Sequence, residues 1–424
     1  MIFAVFLRRP QPDSGLSRQS CGFVVHGDPR RSAWKLNPPA KPPAHFRDVF
    51  LPFDGLFRHI RGKHIALTWK SAIVCPPRNR GESLRLEICV FKFTIGKGLC
   101  MKRLLLFFIL LAALAVSERA LAKGTGYLFI SNEKDHTVTV LDGKTFEVVK
   151  NIQTGRRPRD MQWSPDKSLL YVGASADSRI DIIDVAKLEV VGYVTPGDDP
   201  DQFAITKDGK LLIAANEDDN LATFLDISGN DILDQIPTGV EPEGVILSPD
   251  GKRVYITAEV SQMIHVVDMA SHEVLADILV GSRPRRAFFT HDGKEYWVTN
   301  EISGYVSIID TESLEVTGEV HFDPKGAPGD VTPVGIALGP DGKTAYVTLG
   351  HANRLALVDV ATREVLKYLL VGKRAWNLDF SGDNKWLYVV NSGSDDVSII
   401  DVEAGKVVKT VPVGRYPHAL KADN

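Results

Sequence analysis

The chain has 424 residues, with 50 Lys and Arg against 53 Asp and Glu, a formal net charge of −3 and 44% apolar residues. That is enough chain to bury a large core, and the near balance of charge gives no drive toward nucleic acid or an anionic membrane. All four cysteines (Cys21, Cys75, Cys89, Cys100) precede Met101, so the remainder needs neither disulfides nor a reducing compartment.

Residues 1–100 are rich in Arg, Pro and scattered aromatics, as in PRRSAWKLNPPAKPPAHFR, and sustain no period of 2 or 3.6. They are expected to be an over-extended gene start or a disordered leader. Residues 101–122 read MKRLLLFFILLAALAVSERALA. A short basic start, an apolar run from Leu104 to Val116 and small residues at Ala120-Leu121-Ala122 are the three parts of a secretory signal peptide. The run is shorter than the roughly 20 residues of a membrane span. Export to the periplasm follows as an expectation.

From residue 123 the chain repeats itself. Units begin at Gly155, Gly197, Gly239, Gly281, Asp330, Gly372 and Gly414, at intervals of 42, 42, 42, 49, 42 and 42 residues. Each full unit carries Asp eleven residues in (Asp166, Asp208, Asp250, Asp292, Asp341, Asp383) and again 29 residues in (Asp184, Asp226, Asp268, Asp310, Asp359, Asp401). Within the unit from Gly239, PEGVILS, RVYITA, MIHVVD and HEVLADILV read as four short strands bounded by turn residues. A four-stranded repeat of this length is a propeller blade. The Asp columns are read as turn caps, because an Asp side chain satisfies backbone N–H groups in a tight turn.

The last unit, RYPHALKADN, supplies one inner strand, and residues 123–154 supply three strands without an inner one. Together they complete a seventh blade, which removes the open sheet edges. The expected fold of 123–424 is therefore an all-β, seven-bladed β-propeller closed by pairing of the two chain ends, expected as a monomer.

The strand column Tyr255-Ile-Thr-Ala258, Trp297-Val-Thr-Asn300, Tyr346-Val-Thr-Leu349 and Tyr388-Val-Val-Asn391 resembles the YVTN family of β-propellers. The blade order, the cysteine-free secreted form and the insertion Asp323–Gly329 look most like the propellers associated with PQQ-dependent catabolism. That resemblance implies a periplasmic accessory scaffold in alcohol oxidation, with a quinoprotein dehydrogenase or an ABC transporter component as partner and PQQ as the candidate cofactor. It brings no catalytic residues. The family also resembles lactonase propellers and haem-binding propellers, so the alternative is a metal-dependent hydrolase of the lactonase type.

In a propeller the residues just after each blade start ring the central channel at one face. That ring contains Arg156, Arg157 and Arg159; Asp198, Asp199 and Asp201; Glu241 and Glu243; Arg283, Arg285 and Arg286; Val331 and Val334; Lys373, Arg374 and Trp376; and Arg415, Tyr416 and His418. A basic arc through Arg374, Arg415, Arg156, Arg157 and Arg159, holding Trp376, Tyr416 and His418, is the expected ligand site, with Arg283 and Arg285 across the ring. Arginine forks suit carboxylates and stack on planar rings. Glu133, Glu217, Glu259 and Glu301, on the middle-strand loops, are candidates to pair with ring arginines instead. No G-x-S-x-G, H-E-x-x-H or P-loop motif is present.

Overall fold

The computed structural model describes residues 2–6, 67–68, 87–93 and 124–423. The chain divides into two units, 1–120 and 121–424. In the first, Ile2–Phe6, Leu67–Thr68 and Glu87–Phe93 form a three-stranded antiparallel sheet with the last strand in the middle. The sequence reading assigned no element there; IFAVF and EICVFKF are nevertheless apolar, β-prone runs. Residues 101–122, expected to be a signal peptide, lie outside the described residues.

The second unit is seven four-stranded antiparallel sheets. Blade 1 is Pro158–Trp163, Leu169–Ala174, Arg179–Asp184 and Glu189–Val194. Blades 2 to 6 repeat it from inner strands Pro200–Ile205, Pro242–Leu247, Pro284–Phe289, Ile336–Leu338 and Ala375–Phe380. Blade 7 joins the ends: Pro417–Asp423 pairs with Tyr127–Asn132, followed by Thr137–Asp142 and Val148–Gln153. Asp423 fastens this closure, since its carboxylate accepts from Thr125 N at 2.7 Å and its carbonyl from Gly126 N at 2.9 Å. Neighbouring inner strands touch all round, blade 7 against blade 1 included, so the ring is closed.

Seven apolar clusters fill the interfaces between neighbouring blades. Phe129, Val140 and Ile152 of blade 7 pack on Met161, Leu170 and Ile183 of blade 1, for example, and Tyr255 and Ile264 of blade 3 pack on Tyr296 and Val298 of blade 4. Each strand lends alternate side chains to the interfaces on its two faces. The insertion Asp323–Gly329 is pinned to this framework: Tyr368 Oη accepts from Asp323 N at 2.9 Å, and Ala327 packs against the blade 4–5 cluster.

Both Asp columns cap turns. Asp250, Asp292 and Asp383 accept from the backbone N–H two residues on and from the hydroxyls of Ser248, Thr290 and Ser381. Asp268 and Asp310 accept two backbone N–H groups each, from Ala270 and Ser271 and from Glu312 and Ser313. Hydroxyl donors, then backbone N–H groups, hold the pKa of the first set low, and backbone donors chiefly do so for the second. A carboxylate with a lowered native pKa adds stability above its unfolded value of about 4 and loses it as pH falls through the native value. The melting temperature is therefore expected to hold level between pH 8 and 5 and to fall progressively below about pH 4. Equal melting at pH 6 and pH 3 would contradict this capping account.

Candidate active site

Each inner strand starts at the face where the blade-to-blade loops lie and runs down the channel. In six blades it begins with a β-bulge, two residues opposing one: Arg159-Asp160 against Gly173 in blade 1, Arg285-Arg286 against Thr299 in blade 4, and His418-Ala419 against Ser131 in blade 7. A bulge re-aims side chains that strict alternation would send to opposite faces. The fourth and fifth residues of these units thus both line the channel. Hydroxyls of the preceding blade fasten the bulges: Ser131 donates to Arg159 O at 2.7 Å, Thr257 to Arg285 O at 3.1 Å and Thr348 to Trp376 O at 2.5 Å.

The second residue of the unit is anchored by the blade before it. Arg157 N donates to His136 Nδ1, Arg374 N to Asn353 Oδ1 and Tyr416 N to Asp395 Oδ1, at 3.1, 2.9 and 2.8 Å. All three have φ between 53° and 58°. Left-handed residues recur at the turns of every blade, so this conformation belongs to the repeat and is not strain peculiar to the site.

The first residue of the unit faces away from the channel. Arg156 and Arg415 each use both the backbone N–H and Nε on one carboxylate of their own blade, Asp177 and Asp135, with Nε distances of 2.6 and 2.5 Å. Both guanidiniums are largely exposed. The continuous basic arc expected from the sequence is therefore broken at Arg156 and Arg415.

The remaining ring arginines meet the loop carboxylates. Arg157 pairs with Glu133 at 3.2 Å and Asp199 at 3.0 Å, and Arg159 with Asp201 and with Glu217 at 3.3 Å. Across the ring, buried Arg285 is held by Glu243, Glu259 and Glu301, and Arg283 by Glu259 and Glu301. Blades 1–2 and blades 3–4 thus each set two guanidiniums against three carboxylates, and Glu133 of blade 7 adds a fourth to the first group. Burial, reinforced by Asp201, raises the Glu217 pKa. Complete burial lowers that of Arg285, from a value so high that the guanidinium stays charged beside its partners. Arg286 of blade 4 reaches Asp160 of blade 1 at 3.0 Å and so bridges the lumen.

Blades 6 and 7 are different. His418 is 3% exposed, and neither ring nitrogen has a hydrogen-bond partner among the described residues. Burial first, then the charges of Arg159, Arg286, Arg285 and Arg374, hold its pKa well below the usual histidine value, so the ring is neutral. Trp376 lies 6.0 Å from it, ring to ring, and Arg374 stacks 3.9 Å over Trp376. Arg286 Nη2 and Arg159 Nε are also buried without acceptors among the described residues. Buried polar groups are normally satisfied, so these orphans mark where a ligand would make its bonds. A cavity of about 370 Å³ continues down the channel, lined by Asp160, Gln202, Arg286 and Asn377 and then by apolar residues such as Ile246 and Leu420.

Of the sequence-predicted site, Arg159, Arg285, Arg374, Trp376 and His418 converge on the channel; Arg157, Arg283 and Tyr416 sit on its rim; Arg156 and Arg415 point away. The sequence reading passed over Asp160 and left Arg286 out of the predicted ligand set. Their signal lies in the bulge, which a strand pattern of period 2 does not reveal.

A family model described as "Lactonase, 7-bladed beta-propeller" matches residues 276–418, and one described as "Cytochrome D1 heme domain" matches residues 124–239. No curated protein matches the chain. Among solved structures, the periplasmic gluconolactonase of Pseudomonas aeruginosa is 21% identical with a TM-score of 0.59, over 70% of this chain and 98% of that one. A putative 6-phosphogluconolactonase of Bacteroides fragilis is 20% identical with a TM-score of 0.59, over the same shares. A dihydro-heme d1 dehydrogenase, NirN, is 18% identical with a TM-score of 0.55, over 71% and 76%.

These findings overturn the expected accessory role in PQQ-dependent catabolism: the lactonase match over blades 4 to 6 favours the hydrolase alternative. The metal within that alternative does not fit the residues present. No three His, Cys, Asp or Glu side chains among the described residues form a metal-holding group, and the channel carboxylates are engaged by guanidiniums. A haem does not fit either, because the Arg286–Asp160 bridge crosses the lumen a macrocycle would occupy. The fold is an all-β, seven-bladed propeller of four-stranded blades, part of which matches the lactonase model and another part the cytochrome D1 haem-domain model.

Proposed function

We propose that the protein hydrolyses a lactone of a sugar acid in the upper channel. The observation that carries this reading is His418: a buried, neutral imidazole with both nitrogens unspent, surrounded by guanidiniums. A neutral imidazole can take a proton from water as the water oxygen adds to the lactone carbonyl. The resulting oxyanion would be met by Arg286 Nη2, a fixed charged donor in a water-poor site. As the ring C–O bond breaks, the imidazolium returns the proton to the leaving oxygen, giving the open hydroxy acid. One histidine thus serves as base and then acid, and no further reactant is consumed.

The signal-like segment 101–122 supports action in the periplasm, where the Pseudomonas gluconolactonase works by its title. The direct test is hydrolysis of glucono-δ-lactone followed by acid release at pH 6.5, where spontaneous opening is slow enough to subtract. Turnover above background that His418→Ala removes supports the proposal. Background rates with glucono-, galactono- and phosphogluconolactones alike would overturn it.

A further inference from the structure

The channel rim is electrically lopsided. On blades 1–4 carboxylates outnumber the guanidiniums they hold, three to two in each pair of blades, and Glu133 of blade 7 is itself turned to Arg157. On blades 6–7 the balance reverses. Among the described residues the Arg374 guanidinium meets no carboxylate; its partners are aromatic faces, Trp376 at 3.9 Å and Tyr416 at 4.9 Å. Lys134, exposed on the adjoining loop of blade 7, lies 4.1 Å over the same Tyr416 ring. Two cations thus share one tyrosine at the mouth, and the orphaned imidazole of His418 lies buried beyond Trp376.

Stacking leaves the edge of a guanidinium, where its N–H donors point, free to hydrogen-bond. The Arg374 backbone is fixed by Asn353 and the ring below by the Thr348 clamp, so the fork is pre-positioned. A fixed fork with unspent donors is a receptor for a planar or tetrahedral oxyanion. An acid is repelled by blades 1–4 and drawn toward blades 6–7, which orients it as well as binding it.

We propose that Arg374, with Lys134, forms an anion subsite on blades 6–7, and that the natural substrate carries an acidic group besides its lactone carbonyl. This inference rests on the lactone-hydrolase reading for the reacting carbonyl alone. Arg374 is then a specificity residue: it holds the acidic end at the mouth while the carbonyl reaches His418. The shared chemistry is an anionic oxygen fork, either a carboxylate or a phosphate monoester.

The test is calorimetric titration of the protein at low salt with three probes of one sugar frame: glucose, glucuronate and glucose 6-phosphate. At least one anion is expected to bind about tenfold or more tightly than glucose, with added salt eroding the difference. Tighter glucuronate assigns a carboxylate, and tighter glucose 6-phosphate a phosphate. Arg374→Gln should abolish the preference, Arg374→Lys should keep part of it, and Arg156→Gln, whose guanidinium is spent on Asp177 and the Ala176 carbonyl of blade 1 away from the channel, should leave it intact. Lys134→Ala, on the exposed rim, should reduce it even if Arg374→Gln folds poorly. Equal binding of all three sugars by the parent protein, or a preference that survives both Arg374→Gln and Lys134→Ala, would overturn the subsite. Because the readout is binding, a protein that opens no lactone yet shows the preference would refute the hydrolase reading and leave the subsite standing.

Discussion

Arg285→Leu is expected to destabilise the propeller by about 3–5 kcal/mol, the range for removing one partner from a buried ion cluster. The side chain is 5% exposed and faces Glu243, Glu259 and Glu301, themselves 4%, 3% and 8% exposed. Without it, three buried carboxylates keep only Arg283 as a counter-charge, on Glu259 and Glu301, while Glu243 has Gln202 at 3.3 Å. Uncompensated charge in a dry site is relieved by proton uptake, so the variant should also become more stable as pH is lowered from 8 toward 5. The sign follows from raised carboxylate pKa values: native groups that bind protons more readily than unfolded ones gain stability as pH falls. Thermal unfolding should show a midpoint lower by on the order of 5–10 °C at pH 8. Adding Glu243→Gln and Glu259→Gln should recover part of the loss, since apolar or neutral replacement of a whole buried cluster is tolerated better than half of it. A single variant that melts like the parent at pH 8 would show that the cluster is solvated, against the burial described.

The fold was legible because its information is repetitive. A 42-residue register, two Asp columns and a complementary split between the chain ends point independently to seven blades, and each recurs in the structure with a local cause. The site was only partly legible, for two physical reasons. Ring membership does not fix direction: Arg156 and Arg157 are neighbours, but the backbone clamp to Asp177 takes one outward while His136 holds the other at the rim. The bulge then places Asp160 and Arg286 in the lumen, where period-2 reasoning puts one residue of each pair into the core. Pairing between loop glutamates and ring arginines was readable as chemistry; which arginine remains without a carboxylate depends on side-chain reach across blades, and so only the folded structure singles out Arg374.

Replacing His418 separates structure from function in opposite directions. In a structural role the imidazole would be bonded, and its loss would destabilise. Here both nitrogens are desolvated without return, a situation that costs about 1–3 kcal/mol for a buried polar group. His418→Leu, close in volume, should therefore melt at the same temperature as the parent or higher. The useful contacts of this residue are kept, since its carbonyl still accepts from Asn377 Nδ2 at 3.0 Å. Removing the general base should meanwhile lower kcat by about 10²–10⁴-fold. In the parent, burial and then four arginine charges keep the native pKa well below the unfolded histidine value near 6.5, so the base form is present throughout neutral pH. The rate should consequently be level from pH 8 to about 6 and fall only in acid, as protonation of a single group removes the base. The same protonation favours the unfolded chain, so His418 contributes acid lability that the leucine variant lacks. A leucine variant that loses stability along with activity would assign His418 to the framework; one that keeps both would remove it from the reaction.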